Sequence, residues 1–594
     1  MSTSPMVENM GMVSVDILIA GQPIKNDYIV LSATVSSAIN EIPSATFILQ
    51  LSPSRYEGET FAPSETEEFL PGTKVDIKAG YNGKTDILFT GIIVRHGIKA
   101  TGTTGAQLLI HCQDEAVKLT LGKRIRAFKE QKDSAILGDI IGESGLEKEI
   151  AATAYTHPQL LQANTTDWDF IVTRGEANGL LTYAKDGKVY CQSPQVSGAA
   201  KLVLTYGIDV LDFNADIDAG YQFPVTKASG WDFSTGAFIA GTSTEPTINK
   251  QGNLKGKDLA KVLGVGGASL PYTSPLEQAE LKGLANGLLL RSRLAMLRGR
   301  VSFFGNASPK LNSLIDLKSF GARFDGSALI SSIHHHIADG QWLTETGFGL
   351  SPTLFHEKHP QPNGNQGLLP AISGLQNGEV KQLTEDPSEE RRILVHIPVL
   401  GTDVWARQAT LYATQAAGSF FLPEIGDEVI VGFLNDDPRF AIILGSVHSS
   451  RHTPPYAAEA ENHLKAMVTR SKLELMFDDE KKELTLATPA GNTITLSDDD
   501  ASVAVKDQNG NEITMTSAGI TLKSTKDITL DAGRSLRLKA GQNIELKATG
   551  GDVSLNGVNV VGKAKVSLNM TGSAKAELSA GGQTVVKGAM VLIN

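Results

Sequence analysis

Three consecutive histidines suggest metal chemistry more strongly, by type and spacing, than any other residues of this sequence. His334, His335 and His336 lie between Ile333 and Ile337 in a β-like run. On a strand, His334 and His336 share one face and could bind a metal ion together. The enclosing isoleucines, and the lack of a cysteine nearby in the sequence, favour a structural role instead. We therefore predict that these histidines belong to a strand and bind no metal.

Two further motifs resemble catalytic or phosphate-binding sequences but are incomplete. The run HEKH at 356–359 is one residue shorter than the zinc-protease motif, and the following Pro360 disfavours a helix. The run GVGG at 264–267 lacks the Gly-Lys-Ser/Thr ending of a phosphate loop. The sequence also lacks a Gly-x-Ser-x-Gly nucleophile elbow. We expect no catalytic residue and no cofactor, and hence a protein that is not an enzyme.

The bulk composition limits the classes of partner. The chain has 594 residues, of which 41% are hydrophobic and 20% charged, as in soluble proteins of several domains. Its net charge of -11 gives no general attraction to nucleic acid, so no nucleic-acid partner is expected. The two cysteines, Cys112 and Cys191, indicate a reducing compartment rather than a disulfide framework. The N-terminal residues have no basic region before an apolar run, so we expect no signal peptide.

The C-terminal part of the chain changes character. No aromatic residue follows Phe477, no histidine follows His463 and no proline follows Pro489. A stretch of about a hundred residues without bulky side chains does not build a conventional globular core. Disorder or a narrow repetitive β-structure remains, and the spacing of the aliphatic residues favours the second.

An eight-residue repeat begins at Gly519. Each octad carries two aliphatic residues two positions apart, which places both on one face of a strand. The pattern slips at Gly550-Gly551 and then resumes. We call the repeat region, 519–594, the needle. The residues predicted to form its core are Ile520, Leu522, Ile528, Leu530, Leu536, Leu538, Ile544, Leu546, Val553 and Leu555.

A single copy of such a repeat buries too little apolar surface to be stable. Two aliphatic side chains contribute roughly 3–6 kcal/mol when fully buried. Ordering eight backbone residues costs about 8–16 kcal/mol. Several copies wound around one axis pair every backbone edge and bury the aliphatic rows at the centre. We therefore expect an intertwined homo-oligomer, most simply a homotrimer.

The rest of the chain divides at turn-rich and proline-rich segments. Linkers are expected at 356–372 and 450–466, on either side of short β-runs that fit a small barrel. Alternating segments with Asn-Gly turns lead into the needle. The predicted divisions are an α+β region at 1–355, a linker at 356–372, a barrel at 373–449 and a second linker at 450–466. Strands that lead into the repeat follow at 467–518, and the repeat itself occupies 519–594.

The N-terminal region mixes strand-like runs with two helices. The first helix is predicted over 134–145 and the second over 274–299. In the second, Ser274 is a plausible N-cap, Pro275 takes the first helical position and Glu277 completes a capping box. This region is therefore expected to be α+β.

Two long segments carry sets of motif residues, which follow one another in order along the chain. In and just before 418–449 these are Trp405, Phe421, Pro423, Gly426, Glu428, Phe433, Asp437, Pro438 and Gly445. In 160–190 they are Gln162, Asp167, Trp168, Phe170, Arg174 and Gly179. The first set resembles the OB-fold, and the second the hub signature, of VgrG-like spike proteins and phage baseplate spikes.

The resemblance implies a mainly β homotrimer with an α+β hub, an OB-fold collar and a triple-stranded β-helix. The hub would receive an Hcp-like inner tube protein and contact baseplate proteins. The needle would carry a PAAR-type cap or effector cargo and would cross the target cell envelope transiently. The expected cap-binding tip comprises Val591, Leu592, Ile593 and Asn594.

The same resemblance implies where the protein acts. The chain would be made and assembled in the bacterial cytoplasm and delivered as part of a contractile particle. That particle would be a type VI secretion apparatus or a free phage-tail-like machine.

Two other functions stay open. One is a tail-associated peptidoglycan hydrolase, against which the missing catalytic motifs count. Residues 448–467 also leave no room for a lysozyme domain of the kind that some phage relatives insert there. The other is a static trimeric fibre or adhesin, against which the hub and OB-fold motifs count.

Overall fold

A computed structural model of the chain describes residues 4–5, 11–51, 59–102, 105–232, 237–264, 266–272, 276–358 and 371–593. The chain forms two compact units, Met1–Pro454 and Pro455–Asn594. Within the described ranges, no helix has the length and apolar character needed to span a membrane.

The first unit opens with strands that bury alternate side chains. Strand β4 (Ser44–Leu51) reads SATFILQL and buries every second residue, as a half-buried strand requires. These strands share a core that includes Phe47, Phe69 and Trp342. The strands are β1 (Val13–Ile19), β2 (Gln22–Pro23), β3 (Ile29–Ala38), β4 (Ser44–Leu51), β5 (Lys74–Tyr81), β6 (Lys84–Thr101) and β7 (Gly105–Gln113).

A smaller α+β segment follows and has its own core around Phe170 and Ile140. The helix predicted over 134–145 is confirmed as the first of its two helices. Thr166 caps the second helix by accepting a hydrogen bond from the Asp169 backbone N–H at 3.1 Å. The elements are β8 (Arg124–Lys132), α1 (Asp133–Glu143), β9 (Glu147–Ile150), β10 (Thr156–Thr165), α2 (Asp167–Ala177), β11 (Leu181–Lys185) and β12 (Lys188–Gln192).

We call residues 1–355 the hub. Its remaining strands complete a 13-stranded sheet, in the order β14-β18-β21-β20-β3-β4-β7-β6-β5-β1-β2, with β13 and β19 paired off this path. β15, β16 and β17 form a separate three-stranded sheet. The elements are β13 (Leu202–Thr205), β14 (Val210–Ile217), β15 (Thr226–Asp232), β16 (Ala237–Thr242), α3 (Gly256–Leu259), β17 (Ala268–Pro271), α4 (Gln278–Leu294), β18 (Leu297–Phe304), β19 (Leu314–Lys318), β20 (Gly326–Ala338), β21 (Gln341–Phe348) and α5 (Phe355–Lys358).

The helix predicted over 274–299 is present but shorter at both ends. It begins after Glu277, which is its N-cap, and Ser274 and Pro275 lie outside the described residues. The prediction was wrong at the C-terminal end, because Ala295 ends the helix and β18 starts at Leu297. β18 pairs with both β14 and β21, so sheet hydrogen bonds override the helical periodicity there.

A five-stranded closed barrel follows, in the order β22-β23-β24-β28-β27. The predicted OB-fold barrel is thereby confirmed. Its core also takes in Leu161 and Ala163 from β10 of the hub. Of the predicted linker, 356–358 belong to the short helix Phe355–Lys358, although Pro360 was expected to disfavour a helix there. Residues 359–370 lie outside the described residues, and Ile372 is already buried in the barrel core. The strands are β22 (Gln376–Gln382), β23 (Ile393–Ile397), β24 (Thr402–Gln408), β25 (Ala413–Thr414), β26 (Ala417–Gly418), β27 (Glu428–Phe433) and β28 (Ala441–Ser446).

The second unit begins with a seven-stranded antiparallel sheet in which each strand pairs with the next along the chain. Residues 524–593, all described, contain no strand paired within the copy and bend every eight residues. The strands are β29 (Leu464–Val468), β30 (Glu474–Asp478), β31 (Glu483–Ala487), β32 (Thr493–Ser497), β33 (Ser502–Lys506), β34 (Glu512–Thr516) and β35 (Gly519–Lys523).

Candidate assembly interface

One face of the sheet β29–β35 is apolar along its length. Residues directly opposite each other in an antiparallel pair project to the same face, so the strand registers define two continuous rows. We call the two rows together the apolar ladder. One row is Met467, Leu475, Leu486, Ile494, Val505, Ile513 and Leu522, and the other is Phe477, Leu484, Leu496, Val503, Met515 and Ile520.

The opposite face of the same sheet is largely polar. Thr485 pairs with Thr495, and Thr514 pairs with Thr521. At one edge of this face the ammonium of Lys506 lies 3.1 Å from the carboxylate of Glu512. The two faces therefore differ as the solvated and covered sides of a sheet differ.

The apolar ladder is uncovered in a single copy. Ile494 is 41% exposed, Met515 45% and Ile520 67%. Burying an aliphatic side chain contributes about 1.5–3 kcal/mol, so covering this ladder is worth on the order of 10–20 kcal/mol per copy. An exposed apolar face of this length marks an interaction surface.

The ladder residues Ile520 and Leu522 are also the first of the needle residues predicted from the octads. All ten of those residues are between 54% and 70% exposed in one copy. Ile528 and Leu530 follow a bend at 525–526, and each later pair follows its own bend in the same way. That the pairs face a common axis remains a prediction.

The interruption at Gly550-Gly551 has a structural explanation. The other bends between 525 and 590 take two residues, whereas the one at 549–551 takes three. The longer bend moves Val553 and Leu555 one position along the octad, which accounts for the slip in the sequence. The bends before and after it keep the eight-residue spacing.

The predicted cap-binding tip is exposed as far as it is described. Val591 is 49% exposed, Leu592 83% and Ile593 90%, while Asn594 lies outside the described residues. Cap binding by these residues remains a prediction.

The OB-fold motif residues lie at different depths in the barrel. Pro423, Asp437 and Pro438 are buried. Gly426 occupies a turn with φ of 92°, which explains the glycine. Trp405, Glu428 and Phe433 are half-buried, and Phe421 and Gly445 are exposed.

Asp437 belongs to a buried ion cluster that ties the barrel to the hub. Its carboxylate accepts hydrogen bonds from the Arg439 guanidinium, at 2.9 Å for the closest pair of atoms. Arg439 also donates to Glu280 of α4 at 3.0 Å. Burial alone would lower the pKa of Arg439, but the carboxylates of Asp437 and Glu280 outweigh burial and raise it. Glu280 and Arg439 form a contact that the sequence did not single out.

The hub motif residues come together around α2. Phe170 is completely buried, and the Trp168 indole donates to the Asn40 carbonyl at 3.3 Å. Gln162 is also buried and donates to the Asp167 carboxylate at 2.7 Å. The motif is therefore part of the hub core.

Arg174 forms a deeply buried ion pair with Asp133. Its guanidinium donates to both carboxylate oxygens of Asp133, at 2.7 and 2.8 Å. His157 and Asn178 also contact this carboxylate, at 2.9 and 3.0 Å. Burial would raise the pKa of Asp133, but the charges and hydrogen bonds of Arg174 and His157 outweigh it and lower that pKa.

Gly179 directly follows Asn178, the C-cap of α2. Its φ of 69° lies in the left-handed region. A Cβ on Gly179 would lie 3.3 Å from the Cα of Gly287 in α4. The motif glycine therefore permits both the turn and the close approach of α4.

The three histidines lie on β20, as predicted. His335 is buried and lies 3.0 Å from the Thr344 hydroxyl, while His334 and His336 are exposed on the other face. Burial lowers the pKa of His335 to about 3. Within the described ranges, no group of three or more His, Cys, Asp or Glu residues is placed to hold a metal ion.

Comparison with known proteins identifies two domains. Residues 9–339 match the model of the Alg8 N-terminal domain. Residues 376–448 match the type VI secretion system/phage-baseplate injector OB domain.

Curated relatives match over shorter stretches. The type VI secretion system spike protein VgrG1a of Pseudomonas aeruginosa is 34% identical over 110 residues, which is 17% of this chain and 17% of that protein. The actin cross-linking toxin VgrG1 of Vibrio cholerae is 28% identical over 179 residues, 26% of this chain and 16% of the toxin. The aligned segments thus span less than a fifth of either relative.

A solved structure supports the fold over most of the chain. The half-lidded PdpA-VgrG complex of Francisella superposes with a TM-score of 0.52 over 87% of this chain and 88% of that one, at 10% sequence identity. Since the Alg8 N-terminal model covers more than half of the 594 residues and curated VgrG proteins match as well, the chain belongs to the Alg8 N-terminal domain family and is a VgrG-like spike protein of contractile injection systems.

Proposed function

We propose that three copies of this chain form the puncturing spike of a contractile injection machine. The observation that supports this most strongly is the apolar ladder of β29–β35, which a single copy leaves exposed. The ladder leads directly into the octad repeat, so one continuous surface requires cover from Met467 to Leu555.

Further copies of the same chain are the best cover for this surface. A second copy presents apolar rows with the same spacing and the same interruption at Gly550-Gly551. The backbone of 524–593 is also without strand pairing within the copy, and its polar groups require partners in a packed needle. Three copies around an axis supply those partners and leave no free edge at which unravelling could begin.

The proposal assigns a role to each remaining part of the chain. The hub joins an Hcp-like inner tube and the baseplate, and the OB-fold barrel forms a collar. The needle ends in a tip at 591–594 that carries a PAAR-type cap or an effector. A VgrG of Francisella has been solved in complex with PdpA, which supports a spike that carries other proteins.

The proposed action is mechanical rather than enzymatic. Contraction of a sheath drives the needle through a target envelope, and the stiffness of the shared β-structure resists the load. The relatives named above include a spike protein and a toxin, and the toxin's name describes actin cross-linking. The aligned part is 16% of that toxin.

A pair of variants of β32 tests this function. Ile494→Asp with Leu496→Asp charges the apolar ladder, whereas Thr493→Asp with Thr495→Asp charges the opposite face of the same strand. Particles are purified from cells that make each version, and release of a cytoplasmic marker from target cells is measured. We expect the ladder variant to abolish marker release and the control variant to retain it. Unchanged release with the ladder variant would contradict a needle built on this face.

A peptidoglycan assay separates the spike from a hydrolase. Purified full-length chain is incubated with peptidoglycan, and soluble fragments are measured. We expect no fragments above the buffer background, because the proposed action needs no bond cleavage. Fragment release by the isolated chain would establish an enzyme instead.

A further inference from the structure

A hairpin of the barrel exposes an uncharged, apolar surface. Residues 409–422 read ATLYATQAAGSFFL and contain no charged side chain. Leu411 is 101% exposed, Tyr412 60%, Phe420 83% and Phe421 61%. Aromatic and aliphatic side chains grouped in this way are typical of the core of a protein interface.

The hairpin is ordered by its own hydrogen bonds. β25 pairs with β26 inside it, and the Ser419 backbone N–H donates to the Tyr412 carbonyl at 2.9 Å. The Gln408 side chain donates to the Phe421 carbonyl at 2.8 Å. The Thr410 hydroxyl donates to the Ser419 carbonyl at 3.1 Å. The aromatic rings are therefore presented to solvent by a fixed backbone.

The barrel carries a second exposed apolar surface of a different shape. Gly432 in β27 lies between two leucines, because a Cβ on it would be 3.5 Å from Leu375 and 3.7 Å from Leu444. Leu375 is 64% exposed and Leu444 52%, so the hairpin of the same copy does not cover them. The missing side chain at Gly432 leaves a notch between the leucines, which we call the leucine notch.

We propose that the hairpin of each copy docks on the leucine notch of the next copy's barrel. This inference rests on the proposed trimer. A protruding surface and a different receiving surface on one chain make a heterologous contact, and such contacts close into a ring under three-fold symmetry. The contact would make the collar a second interface between copies, besides the apolar ladder.

Charge and concentration favour a second copy as the occupant. The uncharged hairpin offers no attraction to phosphates of nucleic acid or to anionic lipid headgroups. Association through the C-terminal unit also raises the local concentration of the barrels, since both belong to one chain. A contact between barrels then forms without the full entropic cost of association.

Photocrosslinking from the full-length chain tests the contact. Benzoylphenylalanine is placed at Phe420, the sample is irradiated, and linked peptides are identified by mass spectrometry. We expect covalent dimers and trimers whose linked peptides contain Leu375, Gly432 or Leu444. Phosphatidylglycerol vesicles are added in a parallel sample. Linkage to lipid in that sample, or no linkage between copies, would overturn the proposal.

A variant of the notch and a mass measurement make the result specific. Leu444→Glu places a charge in the notch, and we expect it to lower the crosslink yield about tenfold or more, since an unpaired charge is costly in an apolar contact. Light scattering on each sample gives the number of copies. A trimer whose crosslink yield is unchanged by Leu444→Glu contradicts the docking alone, whereas a monomeric wild-type chain contradicts the proposed spike itself.

Discussion

The guanidinium of Arg439 lies 3.0 Å from the carboxylate of Glu280, although the two residues are 159 positions apart in the chain. Arg439 is 7% exposed and Glu280 10%, and Asp437 completes the cluster with no exposure at all. Charges at this depth are tolerated only when they are paired. The cluster therefore fixes the contact between the barrel and helix α4.

Replacing Arg439 tests this contact. Arg439→Ala leaves the carboxylates of Asp437 and Glu280 buried without their partner, and we expect a loss of about 3–5 kcal/mol in unfolding free energy. Denaturant unfolding of the full-length chain measures it. Arg298→Ala is the control, since Arg298 and its partner Asp218 are 36% and 29% exposed. A half-exposed pair contributes about 1 kcal/mol or less. Equal losses for both variants would show that the buried cluster has no special role.

Periodic strands could be predicted from the sequence much better than buried charged contacts. Strands such as β4 and the octads could be predicted because their apolar residues recur with a fixed period. The motif residues around Arg174 could be found only by resemblance. Their partners Asp133 and His157 were missed, because a charged residue in sequence gives no sign of whether it is buried. The same limit hid Glu280 and Arg439.

The prediction of the C-terminal end of α4 failed for a different reason. The helical pattern continues past Leu294, but β18 gains hydrogen bonds to two neighbouring strands. Long-range pairing of that kind leaves no trace in a local window. The apolar ladder was likewise missed as one surface, because it appears only when the register of seven strands is known.

The ion pair of Asp133 and Arg174 predicts a pH dependence of hub stability. The pKa of Asp133 is lowered in the folded state, so its contribution to stability is fully present above about pH 4, the ordinary pKa of an aspartate. That contribution is lost as the pH falls further, through the lowered pKa of the folded state. Unfolding free energies measured between pH 7 and pH 2 should decline, and Asp133→Asn should remove part of the decline. An identical pH profile for the variant would contradict this assignment.

The glycine of the hub motif allows a prediction with an internal control. Gly179→Ala forces alanine into a positive φ and also places its Cβ against Gly287. Gly187→Ala forces alanine into a positive φ of 76°, but its Cβ has open space around it. We expect Gly187→Ala to cost about 1 kcal/mol and Gly179→Ala clearly more. Thermal unfolding of the two variants compares them. Equal costs would show that the approach of α4 is not limited by this glycine.

The needle residues can be tested in the same way as the sheet. Leu530→Asp with Leu538→Asp places charges on the predicted axis, and Thr529→Asp with Arg537→Asp places them on the positions between the aliphatic residues. We expect the first pair to abolish the oligomer, because unpaired charges are costly in an apolar interior. The second pair should retain the oligomer and its heat resistance. Mass measurement after heating distinguishes the two results, and survival of the first pair would show that these leucines do not face a shared axis.

The mass of the intact chain in solution tests the central claim most directly. One copy has a mass of 63.2 kDa, and light scattering on purified full-length protein should give three times that value at all concentrations measured. Hydrogen exchange on the same sample should show protection of the backbone amides of 524–593. A folded, heat-stable species of 63.2 kDa would contradict an interior shared between copies.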